Sequence, residues 1–185
     1  MSNLINGLKI IKNFISDNEE KELLDNMEKQ EWNGTLLRKS QHYGYRYNYK
    51  TKDIGKDDYI GQLPEWLDKY IFKIFKKGYI NQYPNQVTIN RYLPGEGIAS
   101  HIDVPRIFAE KLYSISIGSG CSMFFEAEKD YHMYYLPRKT FMLMEGDARY
   151  KYKHGIRRNH IDIVDEKEIT RGIRYSITFR NVIFD

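Results

Sequence analysis

The sequence predicts a mainly β protein of the α+β type, in which N-terminal helices are followed by a β core that is a sandwich, jelly roll or barrel. Two observations support this fold class. Helical periodicity occurs in two segments before residue 80, and seven short segments after residue 85 alternate or run apolar between Gly, Pro or charged breaks. We expect a single domain over residues 1–185, because a chain of 185 residues suits one hydrophobic core.

The first predicted helix begins at a capping box, in which the Ser16 hydroxyl and the Glu19 carboxylate each accept a hydrogen bond from a backbone amide. It extends to about Gln30. Its apolar stripe consists of Leu23, Leu24 and Met27. The second helix begins at Pro64 and ends at Gly78, which is the usual asymmetry of helix ends. Its apolar residues, which repeat with helical period, are Trp66, Leu67, Tyr70, Ile71, Ile74 and Phe75.

The strands follow after residue 85. The predicted strands are residues 86–92, 111–117, 122–128, 132–136, 140–144, 149–154 and 174–180. Several strands at short spacing, without helices between them, indicate a β core.

Composition excludes some classes of protein. The 29 basic and 25 acidic residues permit a polyanionic partner but do not require one. Cys121 is the only cysteine, which excludes an internal disulfide, a multi-cysteine zinc site and an iron–sulfur cluster. No apolar stretch approaches the roughly 20 residues that cross a bilayer. We therefore expect an intracellular protein, cytoplasmic or nuclear, with no membrane partner.

Two identical His-Ile-Asp tripeptides could supply metal ligands. On a strand, residues i and i+2 share a face, so His101 and Asp103 could point to one metal ion. With His154 they would form the two-His, one-carboxylate triad of non-haem Fe(II) oxygenases. His160 and Asp162 lie in a charged stretch that we interpret as a surface loop, with a structural or solvent-exposed role.

The last predicted strand carries its polar residues on one face. These residues are Arg174, Ser176, Thr178 and Arg180. One interpretation is a sheet face in contact with water. The two arginines that bracket the hydroxyls favour a bound dicarboxylate instead, because guanidinium pairs with carboxylate through two parallel hydrogen bonds. Asn90 and Tyr92, again at i and i+2, could add neutral donors.

Together these residues resemble the AlkB family of Fe(II)- and 2-oxoglutarate-dependent dioxygenases. The resemblance implies a double-stranded β-helix (jelly-roll) fold with N-terminal helices buttressing one sheet. Residues 1–85 would be the helical and lid region and residues 86–185 the jelly-roll core. It also implies that His101, Asp103 and His154 hold Fe(II). The matching segments are Asn90-Arg91-Tyr92, Pro94-Gly95-Glu96-Gly97-Ile98, His101-x-Asp103, residues 149–156, and Arg174-x-Ser176-x-Thr178-x-Arg180.

The resemblance further implies a binding mode for the cosubstrate 2-oxoglutarate, which would react together with O₂. Arg174 would bind the distal carboxylate, assisted by Asn90 and Tyr92. Arg180 would lie near the carboxylate next to the keto group. Ser176 would line the same pocket.

The segment Gln41-His42-Tyr43-Gly44-Tyr45 resembles the nucleotide-recognition lid of the branch that acts on tRNA wobble uridines. Stacking rings and cations are what single-stranded or looped RNA requires. The alternative is a tyrosine-rich β-hairpin whose rings pack on the core. The expected substrate contacts are His42, Tyr43, Tyr45 and Arg46. Cations that could extend a basic surface are Arg38, Lys39, Lys52, Lys151, Lys153, Arg157 and Arg158.

The resemblance leads us to expect hydroxylation of a modified uridine in tRNA. The alternatives are a demethylase of N-alkylated bases in RNA or DNA and a protein hydroxylase or demethylase. The wobble-uridine branch has a His two residues after the Asp and a Cys cluster after the last Arg, but Pro105 stands at the first position and the chain has no such cluster. We therefore expect no structural zinc. A separate tRNA-binding or methyltransferase protein could be a partner.

Overall fold

The structure, a computed structural model, describes residues 5–34, 39–48, 50–51 and 53–184. Within these ranges the α-helices are α1 (Asp17–Glu28), α2 (Asp68–Lys76) and α3 (Gly146–Tyr150). The strands are β1 (Leu8–Ile11), β2 (Lys39–Tyr45), β3 (Tyr59–Gly61), β4 (Gln86–Tyr92), β5 (Ile98–His101), β6 (Leu112–Gly118), β7 (Cys121–Ala127), β8 (Asp130–Leu136), β9 (Thr140–Met144), β10 (Lys153–Ile156), β11 (Ile161–Val164), β12 (Lys167–Thr170) and β13 (Arg174–Arg180).

The strands form two main antiparallel sheets. Among the described residues, the larger sheet has the order β1-β9-β6-β13-β4-β2-β3 and the smaller sheet has the order β5-β10-β7-β8. The strands β11 and β12 form a separate hairpin. This arrangement confirms the predicted mainly β fold class.

The larger sheet separates two hydrophobic cores, because side chains alternate between the faces of a sheet. On its outer face, Leu23 of α1 and Ile71 of α2 belong to one buried cluster with Ile177 of β13. On its inner face, Met142 of β9 packs in a second cluster with Phe125 of the smaller sheet. The helices therefore buttress one face of the larger sheet, and its other face is available for a site between the sheets.

Both predicted helices are confirmed. Ser16 Oγ accepts a hydrogen bond from the Glu19 amide at 3.2 Å, and Glu19 Oε2 accepts one from the Ser16 amide at 2.8 Å. Pro64 precedes a 3₁₀ turn (Glu65–Leu67) that leads into α2, and the left-handed Gly78, with φ +72°, follows the helix end. No helix in the described part of the chain is long and apolar enough to cross a membrane.

Three element predictions need correction. The strands β1, β2 and β3 precede residue 85 and join the larger sheet, so the predicted helical region also supplies strands. The strand predicted over 149–154 begins only at Lys153, because α3 occupies the preceding residues. The predicted surface loop after Arg157 is the β11–β12 hairpin. β1 and β3, with four and three residues, are too short for alternation to reveal them.

The two adjacent leucines of α1 provide a test of the outer core. Leu23 is fully buried whereas Leu24 is partly buried. We expect Leu23→Ala to lower the free energy of unfolding by about 2–5 kcal/mol, since it leaves a cavity, and Leu24→Ala to cost clearly less. Urea denaturation measures both values. Equal losses for the two variants would contradict this packing.

Candidate metal and cosubstrate site

Two neighbouring strands bring the predicted metal ligands together. His101 is the last residue of β5 and is the register partner of His154 on β10, while Asp103 follows β5 in the next loop. One potential ligand atom from each of the three residues lies within 4.8 Å of the others. The His101 and His154 ring centroids are 4.5 Å apart. The three side chains could thus hold one ion on one side and leave its other positions open.

Hydrogen bonds orient these side chains. His101 Nδ1 lies 2.9 Å from the carbonyl oxygen of Ala99, which can only accept, so Nδ1 carries the proton and Nε2 is available as a ligand. One carboxylate oxygen of Asp103 is 2.9 Å from Arg180 Nη2. Its other oxygen is 3.5 Å from His154 Nε2. One oxygen of the carboxylate is therefore bound by Arg180, and the other is directed towards His154.

Electrostatics keep both buried ligands in the form that binds metal. Burial by itself raises the pKa of Asp103, but the charge of Arg180 and the neighbouring histidines outweigh it and lower this pKa to about 2. Burial lowers the pKa of His154 to about 4. At neutral pH the site offers a carboxylate and a neutral imidazole, which are the protonation states that metal binding requires.

Arg149 supports the metal-binding loop, a role that the sequence did not reveal. Its side chain is buried, and it donates hydrogen bonds to the backbone carbonyls of Asp103 and Phe108 at 2.5 and 3.2 Å. Arg149 lies on α3, which leads directly into β10 and His154. It therefore connects the two chain segments that carry the ligands. The sequence signal was only a basic residue in a matching motif.

An inner cavity of about 60 Å³ lies beside these ligands, between the two sheets. Every predicted cosubstrate residue lines it: Asn90, Tyr92, Arg174, Ser176 and Arg180. The strand register explains this arrangement, because Arg174 and Ser176 on β13 are the partners of Tyr92 and Asn90 on β4. The interpretation of this strand as a water-facing surface is wrong, since Arg174 is only 4% exposed.

Arg174 makes the inner cavity favourable for an anion. Its Nη2 donates to Ser116 Oγ at 2.7 Å, and its guanidinium lies over the Tyr92 ring at 5.4 Å. Among the described residues, its Nε and Nη1 have no hydrogen-bond partner, although they are buried. A buried cation with unused donors is costly unless an anion pairs with it. The residues present therefore fit a carboxylate at this end of the cavity.

An outer cavity of about 370 Å³ opens on the other side of the ligands. It shares His101, Asp103 and Arg180 with the inner cavity, so a molecule in the outer cavity would reach the metal site. Tyr47 and Phe108 form an aromatic wall there, with ring centroids 6.2 Å apart. Neither residue was among the predicted substrate contacts. Tyr47 directly follows Arg46, the last of those contacts in the chain.

The alternation of side chains along β2 places the predicted substrate contacts His42 and Tyr43 on opposite faces of the sheet. His42 lies on the inner face of β2, where its Nδ1 is 3.5 Å from Thr88 Oγ1, and Thr88 lines the outer cavity. Tyr43 points to the opposite face, where it packs against the helix-side core and its hydroxyl donates to Gln41 at 3.0 Å. Burial raises the pKa of Tyr43 to about 12. Tyr43 is thus corrected from a substrate contact to a core residue, because adjacent strand residues face opposite ways.

Gly44 has a left-handed backbone, with φ +76°, which interrupts the strand alternation of β2, and the pairing of β2 with β3 shifts register at the same place. Tyr45 therefore packs against the core between the sheets, unlike Tyr43 two residues before it. Arg46 is exposed. Of the predicted basic surface, Lys151 pairs with Asp147 at 3.0 Å. Arg38 and Lys52 lie outside the described residues.

The second His-Ile-Asp tripeptide has the structural role that the sequence suggested. Asp162 is buried on β11 and forms a two-hydrogen-bond ion pair with Arg171, at 2.6 and 2.7 Å. His160 packs against Gly95, where an added Cβ would lie 2.7 Å from the imidazole. The hairpin thereby supports the turn that leads to β5.

Fold and site together define an Fe(II)- and 2-oxoglutarate-dependent oxygenase. The chain matches the 2OG-Fe(II) oxygenase superfamily over residues 7–180 and belongs to it. Within this superfamily it belongs to the AlkB family, as its motifs indicated. It is therefore an oxidoreductase of the dioxygenase class that uses Fe(II), 2-oxoglutarate and O₂.

Several curated relatives are similar along nearly the whole chain. A mouse tRNA (carboxymethyluridine(34)-5-O)-methyltransferase, ALKBH8, is 35% identical over 95% of this chain, which spans 30% of that protein's length. The uncharacterized protein L905 of Acanthamoeba polyphaga mimivirus is 34% identical, with 97% of this chain and 86% of that protein covered. The solved structure of OsALKBH1 has a TM-score of 0.72 at 15% identity, covering 97% and 99% of the two chains, and this likeness confirms the fold.

The two tripeptides allow a matched test of the metal site. We expect Asp103→Asn to weaken Co(II) or Mn(II) binding more than the roughly 10–100-fold typical of outer-shell changes, because the charged ligand is lost. His160→Ala should leave metal affinity unchanged. Calorimetric titration with each metal measures both variants. Loss of metal binding in His160→Ala would reverse the choice between the tripeptides.

Arg149 provides a second test. Arg149→Met should weaken Mn(II) binding by about tenfold or more, because the loop that carries Asp103 loses two hydrogen bonds. Arg157→Met, which removes an arginine outside the site, is the control. Affinity is measured by titration and the folded fraction by circular dichroism. An unchanged affinity in folded Arg149→Met would exclude a positioning role.

Proposed function

We propose that this chain hydroxylates a nucleic-acid base, namely a modified uridine in tRNA, in a catalytic domain over residues 1–185. The observation that carries the proposal is the open outer cavity beside the triad, in a chain 35% identical to a protein named for its action on carboxymethyluridine 34 of tRNA. Residues 1–85 would form the helical and lid region and residues 86–185 the jelly-roll core. A tRNA substrate implies a cytoplasmic or nuclear location.

Each predicted residue has a proposed role. His101, Asp103 and His154 would hold Fe(II). With O₂, the bound iron and 2-oxoglutarate supply the oxidising chemistry that converts a substrate C–H to C–OH, with succinate and CO₂ as coproducts. The protein's own part is to bind, orient and exclude water.

The cosubstrate roles rest on the inner cavity. Arg174 would pair with the distal carboxylate of 2-oxoglutarate through its two unused donors. Asn90 and Tyr92, which line the same cavity, would complete that end. Ser176 would line the cavity, and Arg180 would lie near the second carboxylate while it orients Asp103.

The substrate roles rest on the outer cavity. His42 and the wall of Tyr47 and Phe108 would contact the target base. Tyr45 and the exposed cation Arg46 would contact the adjoining RNA. A separate tRNA-binding or methyltransferase protein could deliver or further modify the product.

Oxidative demethylation of an N-alkylated base is the second candidate. Two relatives favour it by name: a Caenorhabditis elegans DNA N6-methyl adenine demethylase is 29% identical over 98% of this chain, and a zebrafish probable RNA/DNA demethylase, ALKBH6, is 29% identical over 93%. The chemistry at iron would be the same. The product differs, because a hydroxylated N-methyl group leaves as formaldehyde.

The proposed carboxylate partner can be tested directly. Arg174→Ala should weaken 2-oxoglutarate binding to the Mn(II)-loaded protein by about tenfold or more, since a charged hydrogen-bond partner is removed. Arg158→Ala, an exposed arginine change, should leave it unchanged. Calorimetric titration measures both affinities. Wild-type affinity in folded Arg174→Ala would place the distal carboxylate elsewhere.

Nucleoside mass spectrometry tests the substrate. Bulk tRNA incubated with the protein, Fe(II), 2-oxoglutarate and ascorbate should contain a modified uridine that has gained one oxygen, and the Asp103→Ala variant should not produce it. Loss of a methyl group with formaldehyde release would favour the demethylase instead. Succinate formation without any RNA change would exclude tRNA while leaving the cosubstrate chemistry intact.

A further inference from the structure

We propose that Tyr45, Tyr59 and Phe184 form an aromatic shelf that binds unpaired bases of RNA beside the target nucleotide. The inference rests on the proposed nucleic-acid substrate and adds a second contact surface to it. The Tyr45 ring is 5.2 Å from both the Tyr59 and the Phe184 ring centroid. The outer two rings are 51% and 37% exposed, so they can accept further stacking.

The aromatic shelf continues the wall of the outer cavity. Tyr45 and Tyr47 both pack against the core between the sheets. The Ile183 amide donates to the Ile107 carbonyl at 2.8 Å, and an antiparallel β-bridge joins Val182 to Phe108. The segment that carries Phe184 is therefore fixed to the loop that lines the cavity. A chain leaving the cavity along this wall would reach the shelf next.

The charge around the shelf suits a polyanion. The described part of residues 39–60 contains Lys or Arg at four positions and Asp at three. Exposed Arg46 lies between Tyr45 and Tyr47 in the chain. One of the three acidic charges is offset by a cation, since Asp53 pairs with Arg106 at 3.0 Å. Aromatic rings interleaved with cations are the usual surface for single-stranded nucleic acid.

The proposed reaction also requires a surface on which the bases next to the target nucleotide can stack. A base that enters the outer cavity must leave its stack, and its neighbours lose a stacking partner. Rings at the exit of the cavity can replace that partner without reading sequence, because every base has a π-face. The shelf would therefore favour unpaired or looped RNA over a duplex.

Exposed aromatic residues elsewhere provide a matched control. Phe72 on α2 is 48% exposed, and Lys76 lies 5.2 Å from its ring centroid. It thus combines an exposed ring with a cation, as the shelf does. α2 packs on the outer face of the larger sheet, away from the cavity.

The experiment measures binding of a short labelled single-stranded RNA, and of its duplex form, by fluorescence anisotropy. The full chain is loaded with Mn(II) and 2-oxoglutarate so that no turnover occurs. We expect Tyr59→Ala and Phe184→Ala each to weaken single-strand binding by about fivefold or more. Tyr59→Phe and Phe72→Ala should bind as the wild type does. Affinity for 2-oxoglutarate should be unchanged in every variant, which shows that each is folded.

The outcomes separate the two proposals. If the wild type binds the single strand but Tyr59→Ala and Phe184→Ala bind equally well, the shelf is excluded and the nucleic-acid substrate stands. If the wild type prefers the duplex, the shelf is also excluded. If the wild type binds no RNA in either form, the RNA substrate fails and the shelf fails with it. Loss confined to Tyr59→Ala and Phe184→Ala supports both.

Discussion

The antiparallel pairing of β5 with β10 is the constraint on which the site depends. It sets His101 opposite His154 at the edge of the smaller sheet, and Asp103 follows two residues later. Two glycines, one on β10 and one directly before β5, have no room for a side chain. An added Cβ on Gly155 would lie 2.6 Å from the Phe124 ring, and one on Gly97 would lie 2.2 Å from the Ile156 carbonyl oxygen. Two glycines thus allow the close approach that brings the imidazoles together.

Buried positive charge is the second physical feature of the site. Arg149 and Arg174 are buried and the Arg180 side chain is only 12% exposed, and an isolated charge is costly at such positions. Arg174 and Arg180 line the inner cavity between the sheets. Asp103 offsets part of this charge through Arg180, and Arg149 is held by two carbonyls. Arg174 retains unused donors. In the proposed binding mode, a dicarboxylate would pair with these donors, and its binding would then stabilise this region of the folded protein.

A chain of polar side chains connects Asp103 with strand β2. Gln86, fully buried on β4, accepts from Arg180 at 3.3 Å and donates to Thr88 at 2.7 Å. Thr88 in turn faces His42 on β2. A continuous line of polar groups thus runs from the Asp103 carboxylate to His42 on β2. The larger sheet is therefore connected to the loop that carries Asp103, one of the proposed iron ligands.

The sequence by itself determined α1 and α2, about half of the strands, the candidate triad and the face of β13 that carries Arg174. These features depend on local periodicity, capping and the spacing of chemically distinctive residues, which the order of residues records directly. Tertiary structure decided what depends on contacts between distant segments. The left-handed Gly44 placed Tyr45 on the face opposite to that of Tyr43, α3 placed Arg149 against the loop that carries Asp103, and the segment after β13 brought Phe184 beside Tyr45. Such contacts arise from packing and register, and no local pattern in the sequence specifies them.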